Sequence, residues 1–389
     1  MMRFSIARVS TVKFFVVTQL RTQIEATVKA GGDVTIIASA NDELVRDDNQ
    51  LGSAVDFLPV DMSRSISPLG DFIALLRLIW IFRTRKFDVV HSTTPKAGVL
   101  CAIAAKLAGV RVRVHTFTGQ PWVTMSGFKR WLLRFCDKII GSLNTRCYAD
   151  SFSQKEFLVK SRVVSAGNIK VLGEGSLAGI DFRRFDVSRY DRTARDKLKA
   201  ELSIPAESII ILFVGRITRE KGISELLLAF KELLRGHVNT YLLCVGPMES
   251  DGHDCINCVG QDVLERVRFI GYVTEPEQYM AISDVLCLPS YREGFGTVVM
   301  EAAAMGIPTV GSDIYGLSDA IIDNETGMLV KARSSEDLAA ALHKVCCDHE
   351  FRKNLANNAR TRAVSRFDSH IVCDLVIKEY RDLLRTSER

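Results

Sequence analysis

Between Ser283 and Pro289 the chain holds a short apolar core, and the loop that follows, Ser290 to Gly296, gives way to a helical pattern from Thr297. A run of this kind suits a strand buried on both faces of a parallel sheet, which restricts the chain to helix-covered α/β architectures. Gly294 and Gly296 let the backbone come close to a ligand, and the unpaired amides of the next helix would face an anion such as phosphate. Glu293 lies in the loop and Glu301 about one turn into the helix. Eight residues apart, they would not align on one continuous helix, but a loop followed by a helix can aim both at different parts of one ligand. Sugar hydroxyls are natural partners, since hydrogen bonds to a charged group contribute roughly 1.5–3 kcal/mol each. Either glutamate alone reads as a solvated side chain beside a turn; the constellation favours a site.

The same grammar recurs upstream. Ile209–Val214 reads as a buried strand that stops at Gly215, and a helix starts near Ile223. Arg216 and Lys221, with Arg219 beside them, could neutralise a diphosphate and the charge that grows on it as a bond breaks. The competing reading is a basic turn with salt bridges to Glu220 and Glu225. Strand-then-turn text continues at Tyr241–Pro247, Val267–Val273, Pro308–Ser312 and Gly327–Val330, the alternation of a doubly wound domain.

The loop from Ser290 to Ala304 resembles the E-x7-E signature of glycosyltransferase family 4, and Gly215 to Gly222 resembles that family's G-R-x4-K-G phosphate site. The resemblance implies a retaining enzyme of GT-B fold, α/β, with two Rossmann-like doubly wound domains facing each other across a cleft. It implies ribose contact for Glu301 and donor-sugar contact for Glu293. The amides of Gly294, Phe295, Gly296 and Thr297 would receive the phosphates, with Gly215, Arg216 and Lys221 around the diphosphate. It also implies an acceptor-binding domain over 1–172, a linker over 173–195 where Gly173, Gly175 and Gly179 cluster, and a donor domain over 196–368. A C-terminal helix of about 369–389 would cross back to the first domain.

Two acceptor-side segments carry the resemblance further. His91-Ser-Thr-Thr-Pro-Lys96-Ala-Gly98 is similar to a family segment whose polar residues turn toward the cleft, which makes His91 and Lys96 candidates. Val112 to Trp122 resembles the region where many relatives place a histidine near the reacting sugar, but this chain has Thr118 in that slot. His115, three residues earlier, is the substitute candidate for catalysis, with a structural role as the alternative. Ser10-Thr11-Val12-Lys13 departs from the glycine-rich first loop of many relatives.

The charge is lopsided: residues 1–170 hold 24 Lys+Arg against 13 Asp+Glu, a net +11, while the whole chain is +5. The basic half calls for an anionic partner. No stacking platform, zinc finger or basic helix-turn-helix accompanies it, so nucleic acid is not expected, whereas anionic lipid or a lipid diphosphate fits. Phe72 to Phe82 is apolar apart from Arg77, too short to cross a bilayer, and suits either a helix covering the sheet or one lying on a membrane. Phe128 to Ile139 places Arg130, Arg134 and Lys138 beside Trp131, Leu132, Phe135 and Ile139, a basic amphipathic helix open to the same two readings.

Ten cysteines and no apolar export segment after Met1-Met2-Arg3 point to reduced thiols in a cytosolic chain. Cys255 and Cys258 form the one CxxC, expected as an exposed loop pair and not as a zinc site. No metal-ligand spacing appears, so transfer without metal or cofactor is expected, the cationic loop standing in for a divalent ion. The resemblance implies a donor such as a UDP-sugar and a polyprenyl-diphosphate-linked saccharide acceptor, at the inner face of the cytoplasmic membrane, in bacterial O-antigen, capsule or exopolysaccharide synthesis. A UDP-sugar 2-epimerase and a non-catalytic nucleotide-sugar-binding scaffold are the alternatives; the basic half disfavours the first, and the intact charged set the second.

Overall fold

A computed structural model describes residues 3–40, 55–63, 67–236 and 238–387 of the chain. It divides into two units, Met1–Gly179 with Ser369–Arg389, and Ile180–Asp368. Each is an α/β unit around a wholly parallel sheet, the GT-B pairing of Rossmann-like domains.

The first sheet has seven strands: β1 (Phe4–Val9), β2 (Gly32–Ala38), β3 (Val55–Pro59), β4 (Val89–Thr93), β5 (Val112–Phe117), β6 (Arg146–Ala149) and β7 (Ile169–Val171), ordered β3-β2-β1-β4-β5-β6-β7. The second has six: β8 (Ile209–Val214), β9 (Thr240–Val245), β10 (Val267–Gly271), β11 (Val285–Leu288), β12 (Thr309–Ser312) and β13 (Gly327–Val330), ordered β10-β9-β8-β11-β12-β13. In both, strand order reverses beside the first strand. In open sheets of this kind, ligands bind at that reversal, outside the carboxyl ends of the strands. For the second unit the reversal lies between β8 and β11, which pair with Val285 opposite Ile211, so the loops after those strands share one crevice.

Burial explains why these segments extend. Every residue of β9, β11 and β12 is buried, so no alternation of polar and apolar positions is needed. Helix Ile223–Arg235 turns Ile223, Leu226, Leu227, Phe230 and Leu233 inward, the i, i+3, i+4 stripe of a sheet-covering helix.

The passage between units falls inside the span expected as a linker, which is not a separate element. Residues up to Gly179 belong to the first unit, while Ile180 and Phe185 are buried in the core of the second. The Ile180 amide donates to the Phe367 carbonyl at 2.7 Å, so the chain enters and leaves the second unit side by side. Helix Ser369–Ser387 then packs against helix Arg21–Lys29 of the first unit, burying Val372, Val376, Tyr380 and Leu384.

Candidate active site

Gly215 ends β8, and after it Thr218 to Gly222 make a tight turn into helix Ile223–Arg235. Gly222 has φ +74°, and a Cβ there would stand 2.1 Å from the Pro289 carbonyl oxygen; only glycine lets this turn sit against the end of β11. The second loop is held the same way. Gly296, with φ +80°, precedes helix Thr297–Ala304, and Gly316 would place a Cβ 2.7 Å from the carbonyls of both Glu293 and Gly294. The Tyr291 amide donates to the Glu220 carbonyl at 2.9 Å, stitching the two loops together.

Their charged side chains form two neighbouring ion-paired groups, with Lys221 also favouring the charge on Glu220. Arg216 donates from Nη1 to both Glu249 oxygens, at 2.8 and 2.9 Å, and from Nη2 to Glu220 Oε1 at 2.7 Å. Arg292 reaches the same Glu220 through Nε at 3.1 Å and Nη2 at 2.9 Å. Lys221 Nζ pairs with Glu293 Oε1, joining the two sequence motifs directly. Burial opposes the charge on Glu220, yet Arg292 and Arg216 outweigh it and hold its carboxyl below the usual range. Three cations thus converge on three carboxylates. An entering diphosphate would exchange with these carboxylates for the same cations, while the pairing keeps the guanidinium and ammonium groups aimed before it arrives.

Glu301 differs from the others. Its carboxyl has no hydrogen-bond partner among the described residues, and burial pushes its pKa up to about 7, with Arg184 lowering it and Glu277 adding to the rise. A half-buried carboxyl of this kind, without a protein partner, is suited to accept from ligand hydroxyls.

The structure therefore gathers Gly215, Arg216, Lys221, Glu293, Gly294, Gly296, Thr297 and Glu301 at one sheet reversal. Phe295 joins them only through its backbone, because its ring is 2% exposed and packs against Phe367 with centroids 5.4 Å apart. Arg219 is exposed, and its amide donates to Asp251 at 3.1 Å. Of the two salt-bridge partners anticipated for the basic turn, Glu220 takes that role, whereas Glu225 accepts from the Tyr291 hydroxyl at 2.6 Å.

The first unit corrects the histidine expectations. His115 is 1% exposed; its Nδ1 lies 2.9 Å from Ser92 Oγ, and a Cβ on Gly98 would meet its ring at 2.5 Å. Burial drives its pKa down to about 3, so it is a neutral core residue under helix Pro95–Leu107 and not an accessible acid or base. His91 is equally interior. Its Nδ1 faces Arg8 Nη1 at 2.6 Å and the Tyr380 hydroxyl at 2.5 Å, and its Nε2 faces Thr116 Oγ1 at 2.8 Å. Burial, then Arg8 and His115, keep it neutral, as a tie between β1, β4 and the C-terminal helix. Lys96 pairs with Asp71 at 2.7 Å, and Thr118 is partly exposed just past β5. Thr94 deserves note at this sheet's own reversal: a β-branched residue at φ +68°, its Oγ1 accepting from the Thr11 amide at 3.2 Å.

Sequence reasoning missed Arg292, Glu249, Arg184 and Glu277. Arg292 sits inside the glutamate motif beside Glu293; the other three come from segments distant in the chain and carry no local pattern. It also misplaced the cysteine pair: Cys255 is buried at the end of helix Ser250–Ile256, its Sγ 3.2 Å from the Asp251 carbonyl.

Residues 194–362 match the family described as glycosyl transferases group 1, and residues 16–175 match the glycosyl transferase 4-like domain. A capsular polysaccharide biosynthesis glycosyltransferase, CapM, from Staphylococcus aureus is 31% identical over 370 residues, 95% of either chain. An Escherichia coli UDP-Gal:alpha-D-GlcNAc-diphosphoundecaprenol alpha-1,3-galactosyltransferase is 25% identical, covering 84% of each. Among solved structures, sucrose-phosphate synthase from Thermosynechococcus elongatus superposes with a TM-score of 0.82 at 23% identity, over 99% of this chain and 100% of that one.

Proposed function

The chain belongs to glycosyltransferase family 4, and from that premise we propose that it moves a sugar from a nucleoside-diphosphate donor, a UDP-sugar, to a hydroxyl of a polyprenyl-diphosphate-linked saccharide during bacterial capsule or O-antigen synthesis. The observation that carries this reading is the set of ion pairs, Arg216 with Glu220 and Lys221 with Glu293, beside Glu301, which has no hydrogen-bond partner among the described residues. Relatives that build capsule and extend diphosphoundecaprenol-linked sugars supply the choice of acceptor.

In this reading the nucleotide ribose donates hydrogen bonds to Glu301, and the phosphates lie over the amides of Gly294 to Thr297. Lys221 and Arg216 turn from their carboxylates to the diphosphate, stabilising the charge that develops as the bond from the anomeric carbon to the phosphate oxygen breaks. Glu293, released by Lys221, orients the hexose by accepting from its hydroxyls. The acceptor oxygen bonds to the anomeric carbon on the same face, and the departing phosphate oxygen takes its proton, so configuration is retained. Neither buried histidine takes part. The two cations provide the countercharge, and no metal is required.

Incubating the protein with bacterial lipid extract and a panel of UDP-, GDP- and dTDP-sugars, with free nucleotide followed by mass spectrometry, tests this. Nucleotide release that needs both a UDP-sugar and the lipid-linked acceptor is expected. Epimerised sugar with no acceptor requirement would overturn it.

Peripheral attachment to an anionic leaflet, at the inner face of the cytoplasmic membrane, belongs to the same proposal. Among the described residues no helix is long and apolar enough to cross a membrane. Helix Gly127–Leu143 nevertheless exposes Phe128, Trp131 and Phe135, whose rings stack with centroids 5.7 and 5.6 Å apart, flanked by exposed Lys129, Arg130 and Lys138. Helix Pro68–Arg85 covers the sheet with Ala74, Leu78, Ile81 and Phe82, and its exposed Phe72, Ile73, Leu76 and Trp80 support the membrane reading. Arg134 is the exception to the basic row, since its Nη2 donates to the Ser161 carbonyl at 2.6 Å. Trp131→Ala is expected to weaken binding to vesicles containing anionic phosphatidylglycerol by about tenfold, from the lost apolar burial. Sedimentation with vesicles checks this, and equal binding by variant and wild type would remove helix Gly127–Leu143 from the contact.

A further inference from the structure

Arg184 and Glu277 stand outside both sequence motifs, yet both bear electrostatically on Glu301, the first lowering its pKa and the second raising it. Arg184 lies four residues past Ile180, where the chain enters the second unit. Its guanidinium grips Glu277 bidentately, Nε to Oε1 at 2.8 Å and Nη2 to Oε2 at 2.9 Å, and Nη2 also donates to the Thr274 carbonyl at 2.7 Å. Glu277 is 2% exposed, so the arginine supplies the hydrogen bonds and countercharge that this interior carboxyl would otherwise lack. It begins helix Glu277–Met280, which packs against helix Thr297–Ala304, the element that carries Glu301. One guanidinium therefore serves two carboxylates, with one hydrogen-bonded to it and the other free to accept from a ligand.

The remaining neighbours leave this relation intact. Helix His349–Arg366 also packs on helix Thr297–Ala304, burying Leu355, Ala359 and Ala363, and Arg362 spends its guanidinium on the carbonyls of Ala320 and Asp319. Helix Leu317–Ala320 contributes Asp319, and β12 contributes no charged residue. Glu275 acts on Arg184 from the same loop as Thr274. Arg184 and Glu277 are the charged groups that bear on Glu301 itself.

We propose that Arg184 and Glu277 are a positioning pair for the donor site: Glu277 fixes the guanidinium, and the guanidinium sets a positive charge beside the helix that presents Glu301 to the ribose. This rests on the reading of Glu301 as the ribose acceptor. It also makes the entry segment of the second unit part of donor recognition, because the arginine belongs to that segment. Without Arg184, two carboxylates would face each other with no countercharge, and Glu301 would keep its proton to higher pH.

The test is calorimetric titration of the full chain with UDP, GDP and ADP between pH 5.5 and 9, for wild type, Arg184→Gln, Arg184→Lys, Glu277→Gln and Glu301→Gln. Phosphate ionisation is common to every protein and cancels in ratios to wild type. Wild-type affinity is expected to fall on the acid side of a midpoint near pH 7. Arg184→Gln should move that midpoint up by about one unit, lowering affinity roughly fivefold at pH 7 and regaining most of it by pH 9. Arg184→Lys should stay close to wild type, Glu277→Gln should move the midpoint down, and Glu301→Gln should bind weakly with no midpoint. Wild-type affinity in Glu301→Gln, or no nucleotide bound by any protein, overturns the ribose reading. A weak, flat Glu301→Gln beside an Arg184→Gln profile that is unshifted, or lowered equally at every pH, overturns the pair alone. Should Arg184→Gln not fold, the direction of the Glu277→Gln shift decides.

Discussion

Lys221→Ala should lower kcat for sugar transfer by about 10²–10³, the loss typical when one preorganised group that meets developing charge is removed. The structure sharpens this expectation because Lys221 is already aimed: it sits in the turn before helix Ile223–Arg235 and pairs with Glu293 across the two motifs. Deleting it withdraws a cation from the leaving diphosphate and also leaves Glu293, whose side chain is only 15% exposed, without its partner. Lys221→Arg should recover part of the rate, since the charge returns on a planar fork that does not reproduce a point charge. Steady-state kinetics with saturating donor and acceptor is the measurement. A Lys221→Ala enzyme within threefold of wild-type kcat would remove this residue from the chemistry.

Gly222→Ala should destabilise the second unit by about 2–5 kcal/mol, because two independent penalties coincide. The residue occupies left-handed backbone at φ +74°, which costs an L-residue roughly 1–2 kcal/mol. Its new methyl would also meet the Pro289 carbonyl at 2.1 Å, and relieving such overpacking typically costs another 1–3 kcal/mol. The neighbour here is backbone at the end of β11, so no side chain can rotate away. Urea unfolding followed by circular dichroism should show an earlier transition, with the rest of the profile carried by the first unit. An unchanged midpoint would mean that the two loops separate more easily than their packing indicates. Nucleotide binding should weaken in the same variant, since the displaced segment leads into Ser290 to Gly296.

Much of the second unit was legible because its signals are local. A buried strand, a glycine and a helix start follow one another within a dozen residues, and β8 and β11 with their helices stand where the apolar runs and glycines place them. Site residues within those loops were legible for the same reason. The histidines of the first unit misled, because a His at a strand end reads alike whether its ring faces a ligand or the core. What decides for His115 is helix Pro95–Leu107 crossing at Gly98, and what decides for His91 is Tyr380, 289 residues away along the chain. Asp137 shows the limit from the other side. On a helix read as amphipathic it occupies the inner face, 3% exposed, where its Oδ2 accepts from Trp122 Nε1 at 2.7 Å and burial lifts its pKa to about 7. No spacing rule marks an acidic residue as interior; only its partner does.

The buried tie from Tyr380 to Arg8 and His91 also sets an order of events during translation. When residues 1–179 have left the ribosome, the Arg8 guanidinium still lacks the hydroxyl that will cap it, and the groove along helix Arg21–Lys29 is still bare. The second unit, contiguous from Ile180 to Asp368, can consolidate as soon as it emerges. The domain synthesised first is thus the last to be completed, and a ribosome that stalls after Asp368 releases one finished domain and one with an open seam.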